Sequence, residues 1–301
     1  MKTKYPIYIV SKGRYRTCLT AKYFLNDDLD FKIAVEPQEY DEYAKEYGKD
    51  YVQKLPFSNL GLGSYPARNW CWEDSIKKGF NRHWLFDDNI RGFYRFNGGN
   101  RFSIHCRTAL SIAEEFTDRY ENIGISGFNY KYLMDPFTVR KPYRLNHHIY
   151  SAMLIYNNVP YRWRLKYNED VDLNLQYLVN KWCLVQFCAV LVDKTSTHAA
   201  MKGGNQTELY DNNNPEKFNI KTRLLKEMWP QYVKITKKYG RVHHHVNWKK
   251  HFNHRLIRRK DINWDEIKSK KWDLKLKKVG KLKHNMLENI YQNELKKTEA
   301  S

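Results

Sequence analysis

The chain has 301 residues and a formal net charge of +20 at pH 7. Hydrophobic residues make up 42% and aromatic residues 15% of the sequence, which is enough for a packed core and argues against global disorder. Polar residues interrupt the longest apolar stretches, so we expect no transmembrane helix. The five cysteines form no C-x-x-C pair, which argues against a disulfide framework or zinc knuckle and predicts a cytoplasmic protein.

The positive charge is concentrated in the C-terminal region. Residues 215–301 contain 24 Lys or Arg and 9 Asp or Glu, whereas residues 1–214 contain 29 and 24. This asymmetry favours a polyanionic partner, nucleic acid before an anionic membrane, although a solvated lysine-rich surface would show the same charge. We therefore predict a domain over 1–214 and a basic, mostly helical region over 215–301 that binds DNA.

Short apolar runs alternate with amphipathic segments over the first two hundred residues, a pattern typical of an α/β sheet. The sequence predicts strands over 7–10, 31–35, 51–55, 83–86, 123–128, 150–156 and 184–192. It predicts helices over 37–47, 66–78 and 103–120, and a further helix that Asn168 caps. The strands are spaced too irregularly for a closed eightfold barrel, so we expect an open mixed sheet flanked by helices.

Polar side chains follow several of these strands. Lys12 and Arg14 follow the first, Glu36 follows the second, and Asp87, Asp88 and Asn89 follow the fourth. Because ligands of open α/β sheets bind at the carboxyl ends of the strands, this pattern predicts a binding site. Carboxylates there suit Mg²⁺ or Mn²⁺, although an isolated Asp-Asp pair is as often a turn or helix cap.

Glu169 and Asp170 open the helix that follows Asn168. Acids in a first helical turn are stabilised by the helix dipole and need no catalytic role, but a carboxylate in that position is also suited to act as a general base. His198 follows a strand and is either a metal ligand or a polar loop residue. The run 243–245 is not predicted to bind metal, because consecutive histidines on a helix point different ways.

Several segments together resemble one family. Residues 64–69 and 84–89 resemble the signature of inverting GT-A nucleotide-sugar glycosyltransferases, and residues 167–173 look like their later Glu-Asp motif. More narrowly, residues 8–14, 35–40, 55–60 and 87–93 resemble the TET-associated glycosyltransferases. These are largely phage-encoded and are thought to put sugars on hydroxymethylated pyrimidines in DNA. The likeness covers about residues 5–210, in the correct motif order.

The resemblance implies a GT-A-like, Rossmann-related fold and a role for each matching residue. The nucleotide-sugar donor would be bound by Lys12, Arg14, Glu36, Arg68, Asn69 and Asp87. A Mn²⁺ or Mg²⁺ ion would be held by Asp88, Asn89 and His198, although the superfamily often has aspartate at the position of Asn89, whose amide oxygen is a weaker ligand. Glu169 or Asp170 would be the base that deprotonates the acceptor hydroxyl.

The function that the resemblance implies is transfer of a sugar from a nucleoside-diphosphate sugar, expected to be a UDP-sugar, to hydroxymethylcytosine in phage DNA. The residues expected to contact DNA are Arg241, Lys249, Lys250, Arg255, Arg258, Arg259 and Lys260. Three alternatives stay open on the sequence. They are a glycosyltransferase acting on a protein or surface glycan, a metal-dependent nuclease that uses Asp87, Asp88, Glu169 and His198, and a DNA-binding module without activity.

Overall fold

The structure is a computed structural model that describes residues 3–134, 141–195, 203–204, 215–238 and 241–267. The strands in these residues are β1 (Ile7–Val10), β2 (Lys32–Val35), β3 (Val52–Lys54), β4 (Arg82–Asp87), β5 (Ile90–Asn97), β6 (Asn100–Ile104), β7 (Ile123–Tyr130), β8 (Tyr143–Leu145), β9 (Ala152–Tyr156), β10 (Cys183–Lys194), β11 (Val233–Lys238) and β12 (Arg241–Val246). The α-helices are α1 (Leu19–Asn26), α2 (Tyr40–Tyr47), α3 (Tyr65–Lys77), α4 (Cys106–Thr117), α5 (Glu169–Val179), α6 (Pro215–Met228), α7 (Trp248–His251) and α8 (Trp264–Ile267).

Within the described part of the chain, ten strands form one mixed sheet in the order β3-β2-β1-β4-β9-β7-β10-β5-β6, and β8 pairs with β10. Strands β1 to β4 are parallel to one another, and β9 runs antiparallel to both β4 and β7. Strand β7 is parallel to β10, so β1, β2, β4, β7 and β10 all end at the same edge of the sheet. The open mixed sheet that the sequence predicts is confirmed.

Helices cover both faces of the sheet. Trp84 and Phe86 of β4 point to one face, where they pack with α1 and α4, and Leu85 between them points to the other face, against α3 and α5. Because side chains alternate along a strand, an unbroken apolar run such as residues 84–86 marks a strand that is buried on both sides. This arrangement fixes β4 in the middle of the sheet and places Asp87 at its end.

The structure contains a hairpin that the sequence analysis missed. Residues 100–104, of which 103–104 fall in the predicted helix 103–120, form β6, and α4 begins only at Cys106. Strands β5 and β6 are joined at Gly98-Gly99, where both residues have positive φ values of 57° and 86°. A two-residue turn of this kind requires positive φ at both positions, and a Gly-Gly pair meets that need. The signal was therefore present in the sequence.

The described part of the C-terminal region packs against the sheet domain. Leu225, Val233, Val246 and Phe252 belong to the core beneath α3 and α5. Residues on both sides of the boundary predicted after residue 214 therefore share one core. Besides helices, this region contains the β11–β12 hairpin, which the prediction of a mostly helical region did not include. The alternation of Val233 and Ile235 with polar residues has the period of a strand.

None of the helices that the structure describes has both the length and the hydropathy needed to cross a membrane. All five cysteines are buried and carry free thiols.

Gly127 of β7 is expected to be essential for the packing of the segment before β9. A Cβ atom at this position would overlap the carbonyl oxygen of Ala152 and would lie 2.5 Å from Cγ2 of Ile149. We expect Gly127→Ala to lower the free energy of unfolding by about 1–3 kcal/mol, measured by urea denaturation. Gly92→Ala on β5 is the control, because the nearest atom to its added Cβ is 3.7 Å away. Equal stability of the two variants would contradict the packing described here.

Candidate functional site

Charged side chains from several elements meet at the edge where β1, β2, β4 and β10 end. Asp87 is the last residue of β4 and pairs with Val10 at the end of β1. Its Oδ1 accepts a 2.8 Å hydrogen bond from Arg68 Nη2 on α3, and its Oδ2 accepts one of 2.8 Å from Lys194 Nζ at the end of β10. Burial would raise the pKa of Asp87, but the charges of Lys194 and Arg68 hold that pKa well below its usual range. Asp87 is therefore a carboxylate fixed between two cations.

Lys194 is a site residue that the sequence analysis missed. Its ammonium also donates a 2.7 Å hydrogen bond to Ser151 Oγ, and only 14% of its side chain is exposed. Burial lowers the pKa of Lys194, but the charge of Asp87 more than offsets this and raises it overall. Ser151 has φ = 65°, a conformation that costs energy for a residue with a side chain, and such strain is concentrated at functional sites.

The second carboxylate, Asp88, is buried one residue beyond β4. Its Oδ1 accepts a 2.6 Å hydrogen bond from Arg14 Nη1, and its Oδ2 accepts one of 2.8 Å from Ser11 Oγ. Burial raises the pKa of Asp88, and Arg14 and Ser11 offset part of the rise. Arg14 also donates from Nη2 to the carbonyl of Gly203 at 2.9 Å, which joins the end of β4 to the segment after β10.

Of the predicted metal ligands the structure describes Asp88 and Asn89, and both make hydrogen bonds to other groups. All four carboxylate oxygens of Asp87 and Asp88 already accept hydrogen bonds from Arg68, Lys194, Arg14 or Ser11. Asn89 donates from Nδ2 to the carbonyl of Thr195 at 3.2 Å. His198 lies outside the described residues, and within them no three His, Cys, Asp or Glu residues come together as a ligand set. The Mn²⁺ or Mg²⁺ cofactor stays a prediction.

A cleft lies beside these carboxylates, between the ends of β1 and β2 and the start of α3. Its lining residues are Lys12, Glu36, Phe57, Leu60, Gly61, Gly63, Pro66 and Ala67. Lys12 Nζ lies 3.1 Å from Glu36 Oε2, which also accepts a 3.1 Å hydrogen bond from the amide of Asn59. Burial would raise the pKa of Glu36, but these contacts lower it. The lining of the cleft thus combines two charged side chains with apolar ones.

Asn69 is used differently from the other predicted donor-binding residues. Its Nδ2 donates to the carbonyl of Trp163 at 2.7 Å, and its Oδ1 accepts from the amide of Trp163 at 3.0 Å. The Trp163 ring centre lies 4.8 Å from the Arg68 guanidinium. Both polar groups of Asn69 therefore hold the residue on which Arg68 packs, and binding of the donor by Asn69 stays a prediction.

The two carboxylates at the start of α5 have different surroundings. Glu169 Oε1 accepts a 3.1 Å hydrogen bond from Ser64 Oγ and lies 3.6 Å from Arg68 Nη2. Burial raises the pKa of Glu169, as does the neighbouring charge of Asp170, while Arg68 lowers it; the net shift is upward. Asp170 Oδ2 lies 3.1 Å from His148 Nε2. Although burial would raise its pKa, His148 and the amide of Val171 lower the pKa of Asp170 to about 2.

His148 is the second site residue that the sequence analysis missed. Its ring stacks on Trp248 of α7, with centres 5.6 Å apart and an interplanar angle of 18°, and contacts the edge of Tyr150 at 4.5 Å. Trp248 belongs to the basic C-terminal region. The structure therefore brings one side chain of the C-terminal region next to the α5 carboxylates.

Asn168 precedes α5 as predicted, but its side chain does not cap the helix. It has φ = 54°, and its Nδ2 donates to the carbonyl of Lys221 in α6 at 3.0 Å. The cap position is confirmed and the capping hydrogen bond is not, because the left-handed backbone directs the amide to the C-terminal region.

The structure divides the predicted DNA-binding residues into two groups. Lys249 and Lys250 are exposed on α7, directly after Trp248. Arg255, Arg258, Arg259 and Lys260 are also exposed, but this segment is held at the opposite edge of the sheet, where Asn122, just before β7, bonds to the backbone of Arg255 and Ile257. Arg241 begins β12, and its side chain is not described. Only the first group lies close to the carboxylates.

The sequence was compared with known proteins. A family model described as TET-Associated Glycosyltransferase matches residues 5–204. The matched segment contains the site residues described above, from Lys12 and Arg14 after β1 to Lys194 at the end of β10. No curated protein matches the chain.

Removing the Asp87 charge is expected to destabilise the fold. Asp87→Asn leaves Lys194 largely buried without its counter-charge and Arg68 with only the more distant Glu169, and we expect the free energy of unfolding to fall by about 3 kcal/mol at pH 7. Asp261→Asn is the control, since the Asp261–Arg259 pair is exposed and should contribute nothing measurable. Urea denaturation of both variants tests this.

The difference in stability between the wild type and Asp87→Asn should depend on pH. The folded-state pKa of Asp87 lies below its unfolded value of about 4, so its contribution is complete above that pH and is lost as the pH falls through the folded value. The stability difference between wild type and Asp87→Asn should therefore be constant above pH of about 4 and shrink below it. A difference that is independent of pH would show that Asp87 does not carry the charge described.

Proposed function

The chain belongs to the TET-associated glycosyltransferase family, and we propose that it transfers a sugar from a UDP-sugar to the hydroxyl group of hydroxymethylcytosine in DNA, as a step of phage DNA hypermodification. Membership of the family makes it a glycosyltransferase that acts on modified DNA; the donor and the base are our proposal. The observation that carries it is the juxtaposition of three cations, Arg14, Arg68 and Lys194, with the carboxylate Glu169 beside a half-apolar cleft.

The cleft suits the nucleoside end of the donor. Phe57, Leu60 and Pro66 offer apolar surface for a base, while Lys12 and Glu36 offer a donor and an acceptor of hydrogen bonds for ribose hydroxyls. Because this cleft adjoins the end of β1, a nucleotide bound there would direct its diphosphate towards Arg14 and the end of β4. The sugar would then lie close to Asp87 and the start of α5.

The three cations would stabilise the leaving group. In the proposed reaction the acceptor oxygen forms a bond to the anomeric carbon while the bond from that carbon to the diphosphate oxygen breaks, and the electron pair leaves with the diphosphate. Negative charge thus develops on the diphosphate, and fixed positive groups aimed at that position lower the barrier. Arg14, Arg68 and Lys194 are held largely buried by Asp88 and Asp87, so their charge is in place before the reaction.

Glu169 is the better candidate for the base that receives the acceptor proton. A general base works best when its pKa lies near the working pH. The pKa of Glu169 is raised, whereas that of Asp170 is lowered to about 2 by its contact with His148. We therefore assign proton transfer to Glu169 and propose that Asp170 holds His148 in position.

Binding of a divalent cation at Asp88 is a prediction that the assay below tests. Because both carboxylate oxygens of Asp88 accept hydrogen bonds from Arg14 and Ser11, no step is assigned to an ion. Of the alternatives, a nuclease would need carboxylates free to bind two ions around a phosphate, and those of Asp87 and Asp88 are instead paired with Lys194, Arg68 and Arg14. No observation favours a glycan acceptor over DNA.

Sugar transfer can be assayed directly. The protein is incubated with hydroxymethylcytosine DNA, unmodified DNA and glycan acceptors, together with a panel of nucleotide sugars, in Mn²⁺ or in excess chelator. We expect nucleoside mass spectrometry to show the gain of one sugar on hydroxymethylcytosine only. Transfer to the glycans alone, or strand cleavage, would contradict the proposal. Unchanged turnover in chelator would contradict the predicted metal cofactor but not the transferase.

The assignment of the base predicts a specific kinetic effect. Glu169→Gln should lower kcat by about 10²–10⁴-fold and leave the donor KM nearly unchanged. In the wild type, kcat should fall on the acid side with a midpoint above the usual glutamate pKa of about 4.3, because the pKa of Glu169 is raised. Glu73→Gln, at a partly exposed position on α3 where the side chain pairs with Arg162, is the control and should retain full kcat. If kcat of Glu169→Gln still falls at low pH with the same midpoint, the base is a residue other than Glu169.

A further inference from the structure

Five aromatic rings form a continuous row beside the candidate site. We call Tyr132, Tyr130, Tyr150, His148 and Trp248 the aromatic row. Successive ring centres along it are 5.2, 4.3, 4.5 and 5.6 Å apart, and the first and last pairs are stacked. The row brings together the end of β7, the segment before β9 and α7, three parts of the chain that are far apart in sequence.

The row contacts the neighbours of the proposed base and of Lys194 at two points. His148 Nε2 lies 3.1 Å from Asp170 Oδ2, next to the proposed base. The hydroxyl of Tyr130 lies 2.6 Å from Ser151 Oγ, which also accepts the hydrogen bond from Lys194. A group stacked along the row would therefore lie between the start of α5 and the cations that face the diphosphate.

The row is partly open to solvent, and this distinguishes it from core packing. Tyr132 is 64% exposed, and Tyr150, His148 and Trp248 are partly exposed, whereas Tyr130 is buried and supports them. Exposed aromatic rings next to one another are the usual platform for nucleobases, which stack on them with little dependence on sequence. The exposed lysines of α7 follow Trp248 directly and supply positive charge for the flanking phosphates.

The depth of the carboxylates limits how the acceptor can reach them. Only 18% of the Glu169 side chain and 29% of the Asp170 side chain are exposed. A hydroxymethyl group extends a single carbon from its base, so its oxygen reaches a largely buried carboxylate more easily when the base has left the duplex stack. Enzymes that act on such a base take it out of the stack.

We propose that the aromatic row is the acceptor subsite and that it holds the target pyrimidine as an extrahelical base, stacked against the exposed rings, while Lys249 and Lys250 contact the adjoining phosphates. This inference rests on the proposed function and defines the conformation of the DNA substrate. It also assigns to Trp248 a place in the site that is separate from the electrostatic role of the basic region.

The test uses the full chain and duplexes that contain one hydroxymethylcytosine. In one duplex 2-aminopurine is adjacent to the target, and in a second the target faces an abasic site. We expect 2-aminopurine fluorescence to rise on binding, because its neighbour leaves the stack. We also expect the abasic duplex to bind roughly tenfold more tightly, since the cost of unpairing the target is already removed.

Tyr132 offers the cleanest variants because most of its side chain is exposed. Tyr132→Ala should lose the fluorescence rise and weaken duplex binding by roughly tenfold, whereas Tyr132→Phe should retain both. Phe102→Ala is the matched control, since Phe102 is 54% exposed on β6, at the far edge of the sheet from β3. Thermal unfolding of each variant confirms that the fold is intact.

The two proposals fail in different ways. Transfer to hydroxymethylcytosine DNA with no fluorescence rise, equal affinity for both duplexes and full activity of Tyr132→Ala would overturn the extrahelical base and leave the transferase standing. Fluorescence that rises on binding without sugar transfer from any nucleotide sugar would instead support the acceptor subsite and contradict the proposed reaction.

Discussion

The contact on which the site depends is the carboxylate of Asp87 held between Arg68 and Lys194. Burying three charges is unfavourable unless each is matched closely, and the match here comes from three elements, β4, α3 and β10. Arg68 extends the set to Ser64 and Glu169, and Lys194 extends it to Ser151. Because each member is held by at least one other, the edge of the sheet carries fixed charge rather than a collection of mobile side chains.

This network also explains why two neighbouring carboxylates acquire different properties. Glu169 and Asp170 both lie in the first turn of α5, where the helix dipole favours the ionised form of each. Burial acts to raise the pKa of both, but only Asp170 faces a histidine, and that contact brings its pKa below the usual value while the pKa of Glu169 stays raised. Pairs of groups whose surroundings push their pKa values apart are the usual arrangement for acid–base chemistry, so the difference between them is itself a functional feature.

The sequence predicted the sheet and most of the charged residues at its edge, because these follow apolar strands that are easy to recognise. Lys12, Arg14, Glu36, Arg68 and the carboxylates do meet there, although their roles stay predictions. The residues that were missed share a different property. Lys194, Ser151 and His148 carry no local signal, since each acquires its place only when β10, β9 and α5 pack together. Asn69 shows the opposite case. It lies within a recognised motif, but both polar groups of its side chain are hydrogen-bonded to the backbone of Trp163.

Composition alone gave little information about how the C-terminal region packs. Net charge predicts an anionic partner but not where a chain is packed, and here the basic region supplies Leu225, Val246 and Phe252 to the core of the sheet domain. The indole of Trp229 also donates a 2.8 Å hydrogen bond to Asp172, a fully buried carboxylate of α5. Deleting residues after 214 would therefore remove the predicted DNA contacts and part of the core at once, and the two effects could not be separated. Point substitutions at exposed residues, which leave α5 supported, can distinguish charge from packing.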